Sequence, residues 1–295
     1  MIRTTLKALA ASTILSGAAL AADLPSRSAP PVYAPIAPVF TWSGFHVGTV
    51  SGYAFSDNQR ARTFGNQGFT EATVITGQRP RSVRVDHDDL TTFGGGIGYD
   101  YQFNPGNGIV VGVAADATLM DQNERRGYIA PAIAANGFVP EASAFRHQLN
   151  YLATVRGRVG YAFDRVLVYG TGGFAFGEVD QRVAFTQAFA GPFSYLGRRV
   201  STETGYAYGG GIEYAIPTDS ILNKFNLLSY VGLFQSAGVT VKAEYLRYDL
   251  GRNNVQVNST GFGPGGSYTT RFETEGNLIR GGFTYRFGTL GIAGL

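Results

Sequence analysis

The stretch from Phe145 to Phe163, FRHQLNYLATVRGRVGYAF, alternates between apolar and polar side chains. Its odd positions, which include His147 and Leu149, form the more apolar class, and its even positions carry three arginines. A helix would spread both classes around its surface, whereas a strand sends successive side chains to opposite faces. The run is also much longer than an average strand of about 5–6 residues. We therefore predict one long β-strand with all odd positions on its apolar face.

The same two-residue period recurs along the chain and predicts further strands. Together with the first, they lie at about residues 43–56, 91–103, 109–119, 145–163, 166–179, 203–216, 239–245 and 279–287. Tight turns are predicted at Asn104–Gly108 and Asp164–Arg165, where Gly, Pro, Asn and Asp favour chain reversal. Long polar loops are predicted at about residues 57–88, 121–144, 180–200 and 251–270. The connection Pro217–Gly238 departs from this pattern, because a short turn is expected there.

The N-terminal residues predict a secretory signal peptide followed by a linker. Arg3 and Lys7 precede an uncharged run, Ala8–Leu20, and Ala19–Ala21 matches a small-residue cleavage site. The next segment contains five prolines and predicts a semi-rigid periplasmic linker. The expected organisation is a signal peptide, a linker, a barrel and a C-terminal tail, at residues 1–21, 22–40, 41–287 and 288–295.

The composition excludes several classes of protein. The chain has no cysteine, which excludes thiol chemistry and Cys-ligated metals. Its net charge of +3 gives no argument for nucleic-acid binding. The sequence contains no apolar run of 18 or more residues, so it predicts no membrane-spanning helix. The 41 Gly, 17 Tyr and 21 Phe instead suit a membrane barrel, which uses small residues where strands curve and aromatic girdles at the interfaces.

A closed barrel is the architecture that these features predict together. Lipid offers no hydrogen-bond partners to the backbone, so a sheet in a membrane must close on itself. Short turns on one side and long loops on the other are typical of outer-membrane barrels. We therefore expect an all-β, closed antiparallel transmembrane β-barrel of about eight strands in the cell outer membrane, with long extracellular loops.

Charged residues on the polar face of the predicted strands should point into the lumen. They are Asp100, Asp116, Arg156, Arg158, Glu213, Lys242, Glu244, Arg280 and Arg286. Buried charges must be paired or hydrated. These residues therefore predict either a salt-bridge network that plugs the barrel or a selectivity ring that lines a pore. The sequence leaves both open, because it does not give the width of the lumen.

Several segments resemble a known family. They are Ala22-Asp23-Leu24-Pro25, TWSGF at 41–45, YGTGG at 169–173, GGIEYA at 210–215, VKAEYLRYDLG at 241–251 and GGFTYRF at 281–287. Together they resemble the small porin-like surface barrels of alphaproteobacteria, the major outer-membrane proteins of rhizobia and brucellae, often grouped with the OmpA-type β-barrel. The order of the motifs is more specific than any one of them.

The resemblance implies an eight-stranded barrel and surface antigen, with roles in envelope integrity and host contact and with pore activity in some members. It also implies covalent attachment of Ala22 to peptidoglycan, with Asp23 as its recognised neighbour. Phe283, Tyr285 and Phe287 would form the strand that the barrel assembly machinery reads. The chain departs from the family in continuing past Phe287. Outer-membrane lipid and lipopolysaccharide are the expected surroundings.

Residues for catalysis or for a cofactor are not evident. His46, His87 and His147 lack the spacing of metal ligands, and Gly94–Gly98 lies inside a predicted strand, where it indicates curvature. His87 and His147 at the outer rim keep a hydrolase as a minor alternative. We expect no enzyme, cofactor or metal. The leading prediction is a structural barrel that supports the envelope; the alternatives are a narrow porin and loop-mediated binding of a host molecule or a small ligand such as haem.

Overall fold

Strands form nearly all of the structure, a computed structural model that describes residues 40–55, 59–84, 90–120, 124–129, 141–186, 195–217, 238–261 and 265–287. The elements are β1 Gly44–Phe55, β2 Arg60–Gly65, α1 Gly68–Ile75, β3 Ser82–Arg84, β4 Leu90–Gln102, β5 Asn107–Leu119, β6 Glu124–Ile129, β7 Ala142–Phe163, β8 Val166–Phe185, β9 Tyr195–Ala215, β10 Gly238–Ser259 and β11 Ser267–Arg286. No helix within these ranges has both the length and the hydropathy that a bilayer crossing requires. The predicted signal peptide, the C-terminal tail and nearly all of the linker and the 217–238 connection lie outside them.

Eight of these strands form a closed antiparallel ring in the order β1-β4-β5-β7-β8-β9-β10-β11. The ring closes where β11 pairs with β1, with Gly282 beside Val50. Closure leaves no free sheet edge at this level. Tight turns join β4 to β5 and β7 to β8, as predicted. In the second turn Asp164 has a φ of 52°, a left-handed conformation that Asp tolerates better than most residues. The prediction of a closed antiparallel barrel of about eight strands is confirmed.

Apolar side chains cover the outer surface of the ring. On β8 the outward positions from Val166 to Phe176 are apolar or glycine, and polar side chains begin at Glu178. At about 3.3 Å per residue and a tilt of about 40°, this stretch is roughly 25 Å tall. That is the height of the apolar band of an outer-membrane barrel. Large apolar side chains exposed on this surface include Phe45, Ile97, Val113, Val159, Phe174, Ile212 and Phe283.

Strand pairing replaces part of each predicted loop. The strands β7 to β11 have 20–22 residues each, whereas β1, β4 and β5 have 12–13. The long strands therefore rise above the short ones, and β2, β3 and β6 continue the wall there: β2 pairs with β11 and β3, and β6 pairs with β7. Two neighbouring strands can continue to pair above the apolar band as long as their backbone groups form hydrogen bonds. The hydropathy pattern does not show where this pairing ends.

The face predicted for one end of β7 is wrong. Phe145, His147 and Leu149 lie in the interior, each about 1% exposed, although the alternation placed them on the apolar outer face. The register between β7 and β8 shifts between Leu149 and Tyr151, so Asn150 is an extra residue in a β-bulge. Because the side-chain period is two, one extra residue sends the rest of the strand to the opposite face. Below the bulge the even positions face inward, as predicted.

The interior has two levels of different chemistry. The lower interior, at the level of β1, β4 and β5, contains the charged side chains described in the next section. The upper interior contains an apolar cluster of Ala61, Val74, Phe145, Val183, Phe185, Tyr195, Val255, Val257, Tyr268 and Phe272. A second apolar cluster, which includes Leu149, Leu152 and Leu246, separates the two levels.

A short insert after β2 packs against the upper interior. Gln67 and Thr70 form a capping box at the start of α1, and Val74 joins the upper cluster. The chain then brings Arg79, which is 1% exposed, to the ends of β7 and β8. There its guanidinium lies 3.0 Å from the Glu141 carboxylate and donates to the Ala142 carbonyl at 3.2 Å. Arg79 therefore fastens the insert to the barrel wall.

Candidate functional site

All nine charged residues predicted for the lumen point into the lower interior. Eight of them form two closed quartets, in each of which two arginines contact the same two carboxylates. The ninth, Lys242, belongs to neither quartet and lines a small cavity beside Glu244. These nine residues come from six of the predicted strands. The sequence assigned them to a common inward face, and the structure shows which of them contact one another.

The lower quartet consists of Asp100, Arg158, Glu213 and Arg286. Arg286 lies 2.8 Å from Asp100 and 3.0 Å from Glu213. Arg158 lies 3.3 Å from Glu213 and pairs directly with Asp100. The four side chains come from β4, β7, β9 and β11, which are alternate strands of the ring. The quartet therefore connects the wall across the lumen in four directions, with charges of alternating sign.

The upper quartet consists of Asp116, Arg156, Glu244 and Arg280. Arg156 lies 2.6 Å from Asp116 and 2.8 Å from Glu244, and Arg280 lies 2.8 Å and 2.7 Å from the same carboxylates. Its strands are β5, β7, β10 and β11. Each carboxylate accepts from two guanidinium groups, the charge-assisted geometry in which arginine forms its strongest pairs.

Aromatic rings close the lower quartet from the turn end of the barrel. The Arg286 guanidinium lies 4.6 Å from the centroid of the Trp42 ring and donates to the Trp42 carbonyl at 3.0 Å. Trp42 is held in turn by its indole N–H, which donates to the Asp164 carbonyl at 3.0 Å. Arg158 lies 5.0 Å from the centroid of Tyr169. Sequence reasoning did not assign these roles to Trp42 and Tyr169; the placement of the single Trp directly before β1 was the available signal.

Glycine residues of the barrel wall leave space for the charged side chains of the quartets, and a threonine donates a hydrogen bond to one of them. A Cβ on Gly112 would lie 2.0 Å from Oδ1 of Asp100, and one on Gly96 would lie 2.7 Å from Cβ of Asp116. The Thr154 hydroxyl donates to Asp116 at 2.9 Å. A cavity lined by residues of both quartets has a volume of about 20 Å³. The arrangement is therefore tightly filled as well as neutralised.

The two histidines that the structure describes lie at different levels of the barrel. His46 lies in the lower interior, with Nδ1 at 3.3 Å from Oδ2 of Asp100. His147 is stacked on Phe272 in the upper interior, with ring centroids 5.6 Å apart, so its predicted place at an exposed outer rim is wrong. The bulge in β7 is the reason, because it turns this position inward. His87 lies outside the described residues, and no group of three or more His, Asp or Glu side chains suited to a metal occurs within them.

The remaining predicted site residues lie at the ends of the chain. Phe283 is exposed on the apolar surface of β11, and the backbone N–H of Phe287 donates to the Phe45 carbonyl at 2.8 Å. Tyr285 pairs with Val47 of β1. Ala22 and Asp23 lie outside the described residues. The roles predicted for these five residues, in assembly and in attachment, stay predictions.

A closed ring with an apolar outer band and a charged, filled lumen defines a transmembrane β-barrel. The chain belongs to the family described as outer membrane protein beta-barrel domain, whose model matches residues 8–287. Its location is therefore the cell outer membrane, as the sequence predicted. The resemblance to the surface barrels of brucellae and rhizobia is confirmed as well.

Two curated relatives illustrate that resemblance. The 31 kDa outer-membrane immunogenic protein of Brucella melitensis is 27% identical over 248 residues, which cover 83% of this chain and 86% of the relative. The 22 kDa outer membrane protein of Rhizobium leguminosarum bv. viciae is 26% identical over 191 residues, which cover 65% and 64%.

Solved structures of outer-membrane proteins also align with this chain. OprG of Pseudomonas aeruginosa has a TM-score of 0.46 at 11% identity and covers 83% of this chain and 96% of its own. The protease OmpT of Escherichia coli has a TM-score of 0.33 at 10% identity and covers 85% and 99%.

Proposed function

We propose that this protein is a structural barrel, closed to solutes, that supports the integrity of the outer membrane. The observation that carries the proposal is the pair of quartets across the lower lumen. The lower quartet joins four alternate strands of the ring, the upper quartet joins the β5–β7 pair to the β10–β11 pair across the lumen, and each quartet leaves its charges balanced. Such a network resists widening of the barrel, because separating one arginine from its two carboxylates would leave buried charges unpaired.

The side chains that fill the lumen favour a closed barrel rather than a pore. A diffusion pore needs a continuous path of water, whereas the cavity among the quartets, about 20 Å³, has room for about one water molecule. The upper interior adds an apolar cluster above the charges. An eight-stranded barrel is also of the size whose interior side chains can fill.

An attachment to peptidoglycan would extend this structural role. The family resemblance supplies the argument: Ala22 would be joined to the cell wall with Asp23 as its recognised neighbour, and residues 22–40 would span the gap as a Pro-rich tether. In this proposal the partners are peptidoglycan, outer-membrane lipid and lipopolysaccharide, and the barrel assembly machinery during insertion. The name of the Brucella relative, an immunogenic protein, agrees with loops exposed at the cell surface.

Single-channel recording in a planar bilayer tests the closed barrel. The refolded mature chain, with folding verified by heat-modifiable gel mobility, should give no reproducible current steps. Stable steps whose size changes in Glu244→Gln but not in the matched surface variant Glu273→Gln would overturn the proposal and establish a pore. In cells, deletion of the gene should increase sensitivity to detergent. Unchanged sensitivity and envelope shape would contradict the structural role.

A further inference from the structure

Three arginines form a row on the outer face of the upper wall. Arg146 of β7 lies directly opposite Arg182 of β8, which lies directly opposite Arg198 of β9. The side chains of Arg182 and Arg198 are 43% and 59% exposed. Residues opposed in this way on one face have Cβ atoms about 4.5–5.5 Å apart. Like charges at this separation destabilise a sheet, so the row needs a reason beyond folding.

The carboxylate nearest to the row only partly compensates its charge. Asp180 lies 2.7 Å from the Arg182 guanidinium and 3.1 Å from that of Arg198. The hydrogen bond from Arg182 lowers the pKa of Asp180, which keeps this carboxylate ionised. Arg146 donates instead to the neutral amide of Gln148 at 2.9 Å, and its Nε has no partner among the described residues. Among the side chains that the structure describes on β7 to β9, the three arginines of the row therefore face one carboxylate.

The row borders a groove of about 520 Å³ on the outside of the wall. Its floor is the adjacent register row, in which Gly127, Ala144, Ala184 and Leu196 stand side by side on β6 to β9. The groove therefore has an apolar floor, of three small residues and Leu196, and a border of long cationic side chains. The quartets show the opposite arrangement, since every arginine there has two carboxylates.

The height of the groove decides what faces it. Arg182 lies six positions beyond Phe176, the last apolar outward residue of β8, so it stands roughly 15 Å above the apolar band. The surface at this height faces sideways, toward the head groups of the outer leaflet. In the outer membrane of a Gram-negative cell those head groups are the phosphorylated saccharides of lipopolysaccharide. Their height exceeds that of a phospholipid head group, and their phosphates are the anions that guanidinium groups bind best.

We propose that the groove bordered by Arg146, Arg182 and Arg198 binds the phosphorylated saccharide of lipopolysaccharide. The arginines hold phosphate, and the small residues Gly127, Ala144 and Ala184 of the floor leave room for the sugar rings. The site goes beyond the structural role and does not depend on the state of the lumen, because its residues face the opposite side of the wall.

The test measures binding of rough lipopolysaccharide, and of the same material after dephosphorylation, to the full mature chain in detergent. The native chain should bind the phosphorylated form more tightly, by about tenfold for each guanidinium–phosphate pair. The triple variant Arg146→Gln/Arg182→Gln/Arg198→Gln should lose that preference. The control Arg247→Gln/Arg252→Gln should keep it, since these arginines of β10 each have their own carboxylate, Glu275 and Glu273, at 3.0 Å.

Further variants keep the outcome decisive. If the triple variant does not fold, Arg182→Gln and the groove-filling Ala184→Trp replace it, and each should weaken binding while heat-modifiable mobility is retained. Equal binding of both lipopolysaccharide forms, or unchanged binding by these variants, would overturn the proposal. Displacement of lipopolysaccharide by inorganic phosphate at equal affinity would overturn it too, since the site would then recognise the anion alone. Conductance of the same variants in planar bilayers tests the closed lumen separately. Absence of current in every variant, whatever its affinity for lipopolysaccharide, would show that a failure of the binding proposal does not contradict the closed barrel.

Discussion

The lower and upper interiors of the barrel are opposite in chemistry although strands β7 to β11 line both. At the level of the quartets the inward side chains are ionic and the outward ones apolar, with Arg156 inside and Val155 outside. In the upper interior the pattern is that of a soluble barrel, with Phe185 inside and Arg182 outside. The difference follows the solvent. Lipid surrounds the lower wall and excludes polar groups from its outer face, whereas the upper wall projects beyond the apolar band and can bury its apolar side chains in its own core.

The bulge at Asn150 lets β7 serve both levels. Below it the even positions are inward, and above it the odd positions are. A second register irregularity in β10, between Asp249 and Arg252, has the same effect, because Val255 and Val257 beyond it are inward. A single strand can therefore follow the membrane pattern and the soluble pattern in turn, at the cost of one unpaired residue.

Deletion of Asn150 should give the largest effect, because it would turn Phe145 outward and Arg146 inward. Loss of one buried Phe from a core costs about 3–5 kcal/mol, and the buried arginine adds to it. We expect the upper wall to become sensitive to protease while the lower barrel keeps its heat-modifiable mobility. Asn150→Ala, which keeps the extra residue and loses only a hydrogen bond to Glu178, is the control. A deletion variant with a protease-resistant upper wall would refute the role of the bulge.

Arg158→Met should destabilise the lower level next most strongly. It leaves Asp100 and Glu213 with Arg286 as their one arginine, and removal of one partner from a buried pair costs about 3–5 kcal/mol. The free energy of unfolding can be measured by denaturant titration with the fluorescence of Trp42, which contacts the same quartet. Arg252→Met, in an exposed pair, should change it little. Equal effects of the two substitutions would mean that the quartets contribute no more than surface pairs.

Gly112→Ala should have a smaller effect, also confined to the lower level. The new Cβ would overlap Oδ1 of Asp100 at 2.0 Å and crowd the Tyr99 carbonyl at 2.8 Å. Overpacking of this kind costs about 1–3 kcal/mol. Gly157→Ala on the outer face is the matched control, because its nearest neighbour would be 3.9 Å away, and a change within about 0.5 kcal/mol is expected. Similar losses in both variants would indicate a general requirement for glycine rather than a fit to the charges.

Much of the fold could be predicted because it rests on local pattern. The turns at Asn104–Gly108 and Asp164–Arg165 use residues that favour reversal, and the lower strands follow a period of two without interruption. The charged face was predicted for the same reason. The upper strands could not be delimited, since their outward residues are polar there and resemble loops. The inward turn of His147 depends on the bulge, which leaves no signature in the alternation.

The sequence by itself determined the class of this protein, because long alternating strands and aromatic strand ends are local properties that a chain carries before it folds. Tertiary structure alone decided which arginine meets which carboxylate, how much space remains in the lumen and which arginines meet in a row outside it. The physical reason is that alternation assigns side chains to two faces only relative to each other. Closure of the ring, the register between strands and the position of each bulge then determine which residues lie opposite one another.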